Sequence, residues 1–297
     1  MTIIDLRDGL LSARVSTLGG TLLDYAWTVE GRRIALLRSA PDDAHASASA
    51  CYPLVPFGNR VRNNRFAFAG RDYRLKPNTA SDPHYLHGDG WQAEWSVLSR
   101  SGNELQIGFH HREGDTPYSY AARQIIALSS EGLMLHMGVE NTGKEALPFG
   151  LGWHPYFPMT PETTLFAPAK RFWTETEGWL PGERTEIPDD LDFSAPSPLP
   201  RRWVNNGFEG WSGEAEIVWP ERHAGLRLTA DASVRHAFIF IPDTNFNPTF
   251  RHDYFCFEPM SHIANGHNLP DFGDLKILQP GETFAGSIRL RPQEYSR

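Results

Sequence analysis

The chain has 297 residues, 40% of them hydrophobic, and a formal net charge of −8; its length fits one large domain or two small ones with a substantial core. The acid excess and the absence of any basic run beyond the scattered Arg60, Arg62 and Arg65 exclude a phosphate-tracking stripe, and so a nucleic-acid partner. No apolar stretch reaches 18 residues, which excludes a membrane-spanning helix, and Met1-Thr2-Ile3-Ile4-Asp5 lacks a signal-peptide h-region, so the expected location is the cytoplasm.

Glycine and proline, 26 and 23 residues respectively, cut the chain into short segments. Ala44 to Tyr52 is alanine-rich and is the one candidate for a short helix. Leu105 to Phe109 alternates apolar and polar residues, the period of a strand. Ala121 to Glu140 reads as a hairpin around Ser129-Ser130-Glu131-Gly132. In its second arm Leu133, Leu135, Met137 and Val139 alternate with Met134, His136, Gly138 and Glu140. His110-His111 fall across an ordinary strand. Pro196-Ser197-Pro198-Leu199-Pro200 is the one linker-like stretch; it reads as a loop within a single domain spanning 1–297, because strand-like segments on both sides would otherwise lack partners. Leu226 to Ile241 is the longest stretch free of Gly and Pro, and its end, His236 to Ile241, reads as a buried strand. Gly286 to Leu290 alternates again. Many short strands without a helical stripe predict an all-β sandwich with few short helices. The two cysteines, Cys51 and Cys256, form neither a disulfide framework nor a metal-type spacing and are expected to be buried thiols.

Four segments carry side chains suited to chemistry. Asn59-Arg60 offers an amide and a planar fork of donors, suited to neighbouring hydroxyls or to a loop salt bridge. His87 lies in a His-Gly-Asp-Gly turn near Trp91 and Trp95. Pro155 pushes His154 into an extended conformation, and Tyr156 and Phe157 can wall a pocket. In Tyr254-Phe255-Cys256-Phe257-Glu258 strand parity sets Phe255 and Phe257 on one face and Tyr254, Cys256 and Glu258 on the other. A carboxylate there must be hydrogen-bonded or face a cleft. His84, His87 and Glu258 could in principle supply three metal ligands, but neither His-x-His with a following Glu nor His-Glu-x-x-His occurs, so no metal is expected.

In order along the chain, Asn59-Arg60 with Phe66 and Arg71-Asp72-Tyr73-Arg74-Leu75, then Leu86-His87-Gly88, His154-Pro155-Tyr156-Phe157, and Glu258 before Leu278-Gln279-Pro280-Gly281-Glu282 resemble the motifs of the aldose 1-epimerases, the galactose-mutarotase-like proteins. The wording around Pro56-Phe57-Gly58 and Glu258-Pro259-Met260-Ser261-His262 resembles a less characterised branch. The resemblance implies one large antiparallel supersandwich with a sugar-holding face and no cofactor. It implies Glu258 as base, His154 as acid with pKa values on either side of neutrality, and His87 near the ring oxygen, bonding to it or sharing its protonation. Asn59, Arg60, Tyr156 and Asn205 would hold hydroxyls; the galactose enzymes have an aspartate at the segment containing Asn205, which leaves the preferred sugar open. The expected partner is a small sugar and the expected assembly a monomer or homodimer. The rivals are a non-catalytic sugar-binding protein, a hexose-phosphate epimerase using Arg60, Arg62 and Arg65 as a phosphate clamp, and a lyase or hydrolase of sugar chains.

Overall fold

Alternation governs the architecture. The computed structural model describes residues 1–295, and among them every helical segment is a single three-residue 3-10 turn, all other regular elements being strands. The strands form two large antiparallel sheets packed as a sandwich. One runs in the order Ile3–Asp8, Leu11–Ser16, Thr21–Val29, Cys51–Leu54, Gly152–Pro158, Tyr254–Met260, His236–Ile241, Val204–Glu209, Arg171–Thr176 and Leu180–Thr185, with Arg32–Ala35 paired to Thr21–Val29. The other runs Ser96–Arg100, Glu104–His111, Tyr120–Ser129, Gly132–Asn141, Thr283–Glu294, Ala224–Ala230, Glu214–Trp219, Thr164–Phe166 and Ser197–Pro198.

The hairpin forms as its alternation predicts: Leu133, Leu135, Met137 and Val139 are buried while the intervening residues are half-buried or exposed. The Pro196–Pro200 stretch supplies an edge strand, where missing backbone donors cost least; both sheets draw strands from either side of it. The expectation of a helix over Ala44 to Tyr52 fails. Only Ala46–Ala48 turns, and Cys51–Leu54 is a buried central strand, because pairing with the strands on either side outweighs a weak alanine preference.

Between the sheets lies the main core, including Val15, Tyr25, Leu135, Leu226, Phe255, Phe257 and Leu290. The Tyr25 hydroxyl donates across it to the Leu290 carbonyl at 2.9 Å. On the opposite face of the larger sheet a second apolar cluster gathers Tyr52, Leu54, Trp91, Tyr156, Phe238, Cys256 and Met260. Parity therefore divides Tyr254–Met260 as expected: the two phenylalanines enter the core and Cys256 and Glu258 turn away from it. Cys51 and Cys256 are buried free thiols.

Candidate active site

Strand register aligns two rows of side chains on that outer face. Tyr52 pairs with His154 and Phe238 with Glu258. The pairs Gly152 with Met260 and Tyr156 with Cys256 bracket His154 and set it across from Glu258. The first row is thus Tyr52, His154, Glu258, Phe238. The second is Tyr156, Cys256, Phe240, Asn205, two residues along each strand. His154 Nε2 and Glu258 Oε1 lie 3.1 Å apart, both side chains less than a tenth exposed, and within proton-transfer distance. The second carboxylate oxygen, Oε2, and His154 Nδ1 are buried with no hydrogen-bond partner among the described residues. Tyr52 stacks on His154 with centroids 4.5 Å apart, and Tyr156 lies 4.8 Å from it. Arg38 rests over the Tyr156 ring at 3.7 Å and donates to the Ser49 carbonyl.

Loops close the space above the rows. Asn59 and His87, both with φ near +60°, hold each other: the His87 N–H donates to the Asn59 carbonyl at 3.0 Å, and the Asn59 N–H donates to His87 Nδ1 at 3.0 Å. The second bond fixes the imidazole tautomer, since Nδ1 accepts and the proton must ride on Nε2. Gly88 follows with φ +71°, and a Cβ there would lie 2.2 Å from the Val55 carbonyl oxygen, so only glycine fits. Behind Asn59, His262 Nε2 accepts from the Gly58 N–H at 2.9 Å. Asn59 Oδ1 accepts from the Arg60 N–H at 2.9 Å, and its amide nitrogen has no partner among the described residues. Arg60 both forms a loop salt bridge and lines the cavity. Its Nε donates to Asp82 Oδ2 at 2.7 Å while its guanidinium lies 5.2 Å from the Trp179 ring centroid.

These groups enclose a cavity of about 660 Å³ lined by Asn59, Arg60, His87, His154, Tyr156, Asn205 and Glu258 together. All seven residues singled out from the sequence meet there. Arg62 and Arg65 do not line it: Arg62 donates to the Pro181 carbonyl and Arg65 pairs with Asp72, so the three arginines do not form one clamp. Nor does His84, and among the described residues no three His, Cys, Asp or Glu side chains converge as a metal site. A larger groove of about 940 Å³ crosses the other sheet, but its Glu94, His110 and Glu140 are exposed and offer no buried acid–base pair. Tyr52, Asp82, Trp179, Phe240 and Phe246 also line the cavity and carry no motif of their own. Tyr52 lies in the alanine-rich segment that suggested a helix, and only its cross-strand pairing with His154 brings it to the site.

Burial inverts the expected order of the acid–base pair. It pushes the Glu258 carboxyl well above the usual carboxylate range, against the pull of Arg60. It drives His154 down to about 3, with Arg38 and Arg60 adding to the effect. His87 is also held well below its ordinary value, by burial first and then by the charges of His154 and Arg60. With Nδ1 engaged by a backbone donor, His87 presents a fixed Nε2–H to the cavity. Of the two roles open to it, donating a hydrogen bond is the one its neighbours leave.

Comparison with known proteins identifies the family of the chain. Residues 2–291 match the family model described as aldose 1-epimerase. The chain is 44% identical over 292 residues to the uncharacterized protein YphB of Escherichia coli K12, covering 98% of this chain and 99% of that one. A crystal structure from Escherichia coli K12, described provisionally as an aldose 1-epimerase, superimposes with a TM-score of 0.94 at 42% identity over 99% of both chains. A galactose mutarotase-like protein from Clostridium acetobutylicum shares the fold with a TM-score of 0.85 at 18% identity, over 98% of this chain and 95% of its own.

Proposed function

The chain belongs to the aldose 1-epimerase family, and from that premise we propose that it interconverts the α and β anomers of an aldohexose by acid–base ring opening and reclosure. The observation that carries this is the buried pair of His154 Nε2 and Glu258 Oε1, 3.1 Å apart on the wall of a cavity large enough for a hexose, with Glu258 Oε2 unpartnered among the described residues.

The pair needs only one proton between its two members. Burial by itself favours the uncharged arrangement, with the carboxyl protonated and the imidazole neutral. Sugar hydroxyls donating to the carboxylate offset that burial, and the proton passes to His154. Glu258 then takes the proton from the C1 hydroxyl while His154 Nε2 gives its proton to the ring oxygen. The C1–O5 bond breaks, its electron pair stays on O5, and the former O–H pair becomes the second bond of the C1 aldehyde. Rotation about C1–C2 exposes the other face. Reclosure returns the O5 proton to His154 and the Glu258 proton to O1. His87 Nε2–H steadies the developing charge as a fixed donor. Asn59, Arg60, Tyr156 and Asn205 hold hydroxyls in ground and transition states alike.

The test is anomeric proton exchange by NMR, or polarimetry, on a panel of free aldoses and aldose 6-phosphates, with and without a chelator. Acceleration on a free aldose that survives chelation is expected. Turnover lost on chelation and restored by one divalent ion, or confined to the 6-phosphates, sinks the reading.

A further inference from the structure

Beside Asn205, and absent from the cavity wall itself, stands a carboxylate that no motif pointed to. Strand Arg171–Thr176 pairs with Val204–Glu209 through Arg171 with Glu209, Phe172 with Phe208 and Trp173 with Gly207; Glu175 follows two residues further along the first strand. Glu175 Oε2 accepts from Asn205 Nδ2 at 2.7 Å and from the Trp203 indole N–H at 3.0 Å. A carboxylate accepts and does not donate at neutral pH. The amide nitrogen of Asn205 must therefore face Glu175, and its oxygen is the atom left for the cavity that Asn205 and Trp203 both line. The same carboxylate sets the plane of the Trp203 ring, which meets Phe240 edge-on at 5.6 Å.

We propose that Glu175 is a positioning residue that builds a hydroxyl-reading subsite for the pyranose: the Asn205 oxygen accepts from one equatorial or axial hydroxyl, and the Trp203 ring covers an apolar C–H patch beside it. Asn205 alone could present either its oxygen or its nitrogen; Glu175 removes the choice. A subsite so fixed discriminates sugars by the presence of that hydroxyl as a donor, because a buried acceptor left without one costs more than the bond returns.

The proposal rests on the site being a sugar site, and the experiment separates the two ideas. Calorimetric affinities and anomer-exchange kinetics are measured for D-glucose, D-galactose and the 2-, 3-, 4- and 6-deoxy forms of whichever binds better. Glu175→Met, which keeps the side-chain length but leaves the Asn205 amide and the Trp203 indole without an acceptor, is expected to raise Kd and KM about tenfold with kcat within about twofold, the worth of one hydrogen bond. For one deoxy sugar, the one lacking the hydroxyl that Asn205 reads, parent and variant should bind alike. The pair Glu175→Met with Asn205→Asp restores the acceptor and should return Kd to within about threefold of the parent. A penalty equal for every deoxy sugar, no penalty at all, or no recovery in the double variant overturns the proposal. Parent protein that binds the sugars without exchanging their anomers overturns the epimerase reading alone, since the affinities still decide the subsite; parent protein that binds none of them overturns both.

Discussion

His154 and Glu258 approach to 3.1 Å across two neighbouring strands, although burial drives each of them toward its uncharged form. A pair of this kind resists both losing its single proton and gaining a second. That property turns an ordinary pair of side chains into a proton exchanger whose working form spans a wide pH range.

If the pair performs the chemistry, Glu258→Gln lowers turnover on the order of 10²- to 10⁴-fold while sugar binding survives, as for loss of a general base. His154→Asn behaves alike. Calorimetric affinity beside NMR anomer exchange measures both quantities, and near-parental turnover in either variant removes that residue from the proposed mechanism.

The pH profile of kcat/KM follows from the inverted order. The acid limb should lie far below the ordinary histidine value of about 6.5, toward the value near 3 at which His154 takes a second proton into the pair. The alkaline limb, where the pair loses its proton, should lie well above the ordinary carboxylate range. Activity that falls as pH drops through about 6.5 would mean that His154 titrates as an exposed imidazole.

Acid should begin to destabilise this protein at a higher pH than it does a protein whose pH dependence comes from depressed carboxylates. His84, His87, His154, His236, His262 and His267 are all held below their ordinary values, burial being the largest cause for each, with His262 near 4. The unfolded chain therefore takes up protons from about pH 6.5 downward that the folded chain refuses, so stability falls as pH drops below that point. Glu258 works the other way, because its raised value lets the folded chain keep a proton that the unfolded chain has lost. It offsets at most one of the histidine protons. Calorimetry at pH 5.5 in buffers of different ionisation heat should show net proton uptake on unfolding, and net release there would contradict the assignment.

Gly88→Ala places a Cβ against the Val55 carbonyl at a left-handed φ. It should cost about 1–3 kcal/mol and disturb turnover by displacing the His87 donor. A thermal melt and a kinetic measurement on the same variant read both effects; parental values in each would show that the turn tolerates a side chain.

Arg60→Ala should weaken sugar affinity with little change in kcat, since hydroxyl contacts are made in ground and transition states alike. It also leaves Asp82, whose side chain is 4% exposed, without its partner. A stability loss of about 2–4 kcal/mol is expected, somewhat below that for a fully buried pair. A large fall in kcat at saturating sugar would instead move Arg60 into the chemistry.

The sequence by itself determined the class of the fold and named seven residues that the fold gathers round one cavity. Period-2 alternation in segments such as Leu133 to Val139 is a local signal, because a strand's two faces are written in neighbouring residues. The same parity separated Phe255 and Phe257 from Glu258. Motif order brought Asn59, Arg60, His87, His154, Tyr156, Asn205 and Glu258 into one list. Only the tertiary structure decided what those groups can do. The facing of His154 by Glu258 is a register between strands about a hundred residues apart, and the burial that inverts their proton affinities comes from side chains contributed by the whole sheet. The His87 tautomer depends on a backbone N–H from another loop. Tyr52 and Glu175 reach the site, or the groups that line it, through cross-strand neighbours alone, and Tyr52 lay in a segment whose alanines suggested a helix. Local composition states the preference of a segment; desolvation and cross-strand pairing, which no segment contains, set its final conformation and its charge.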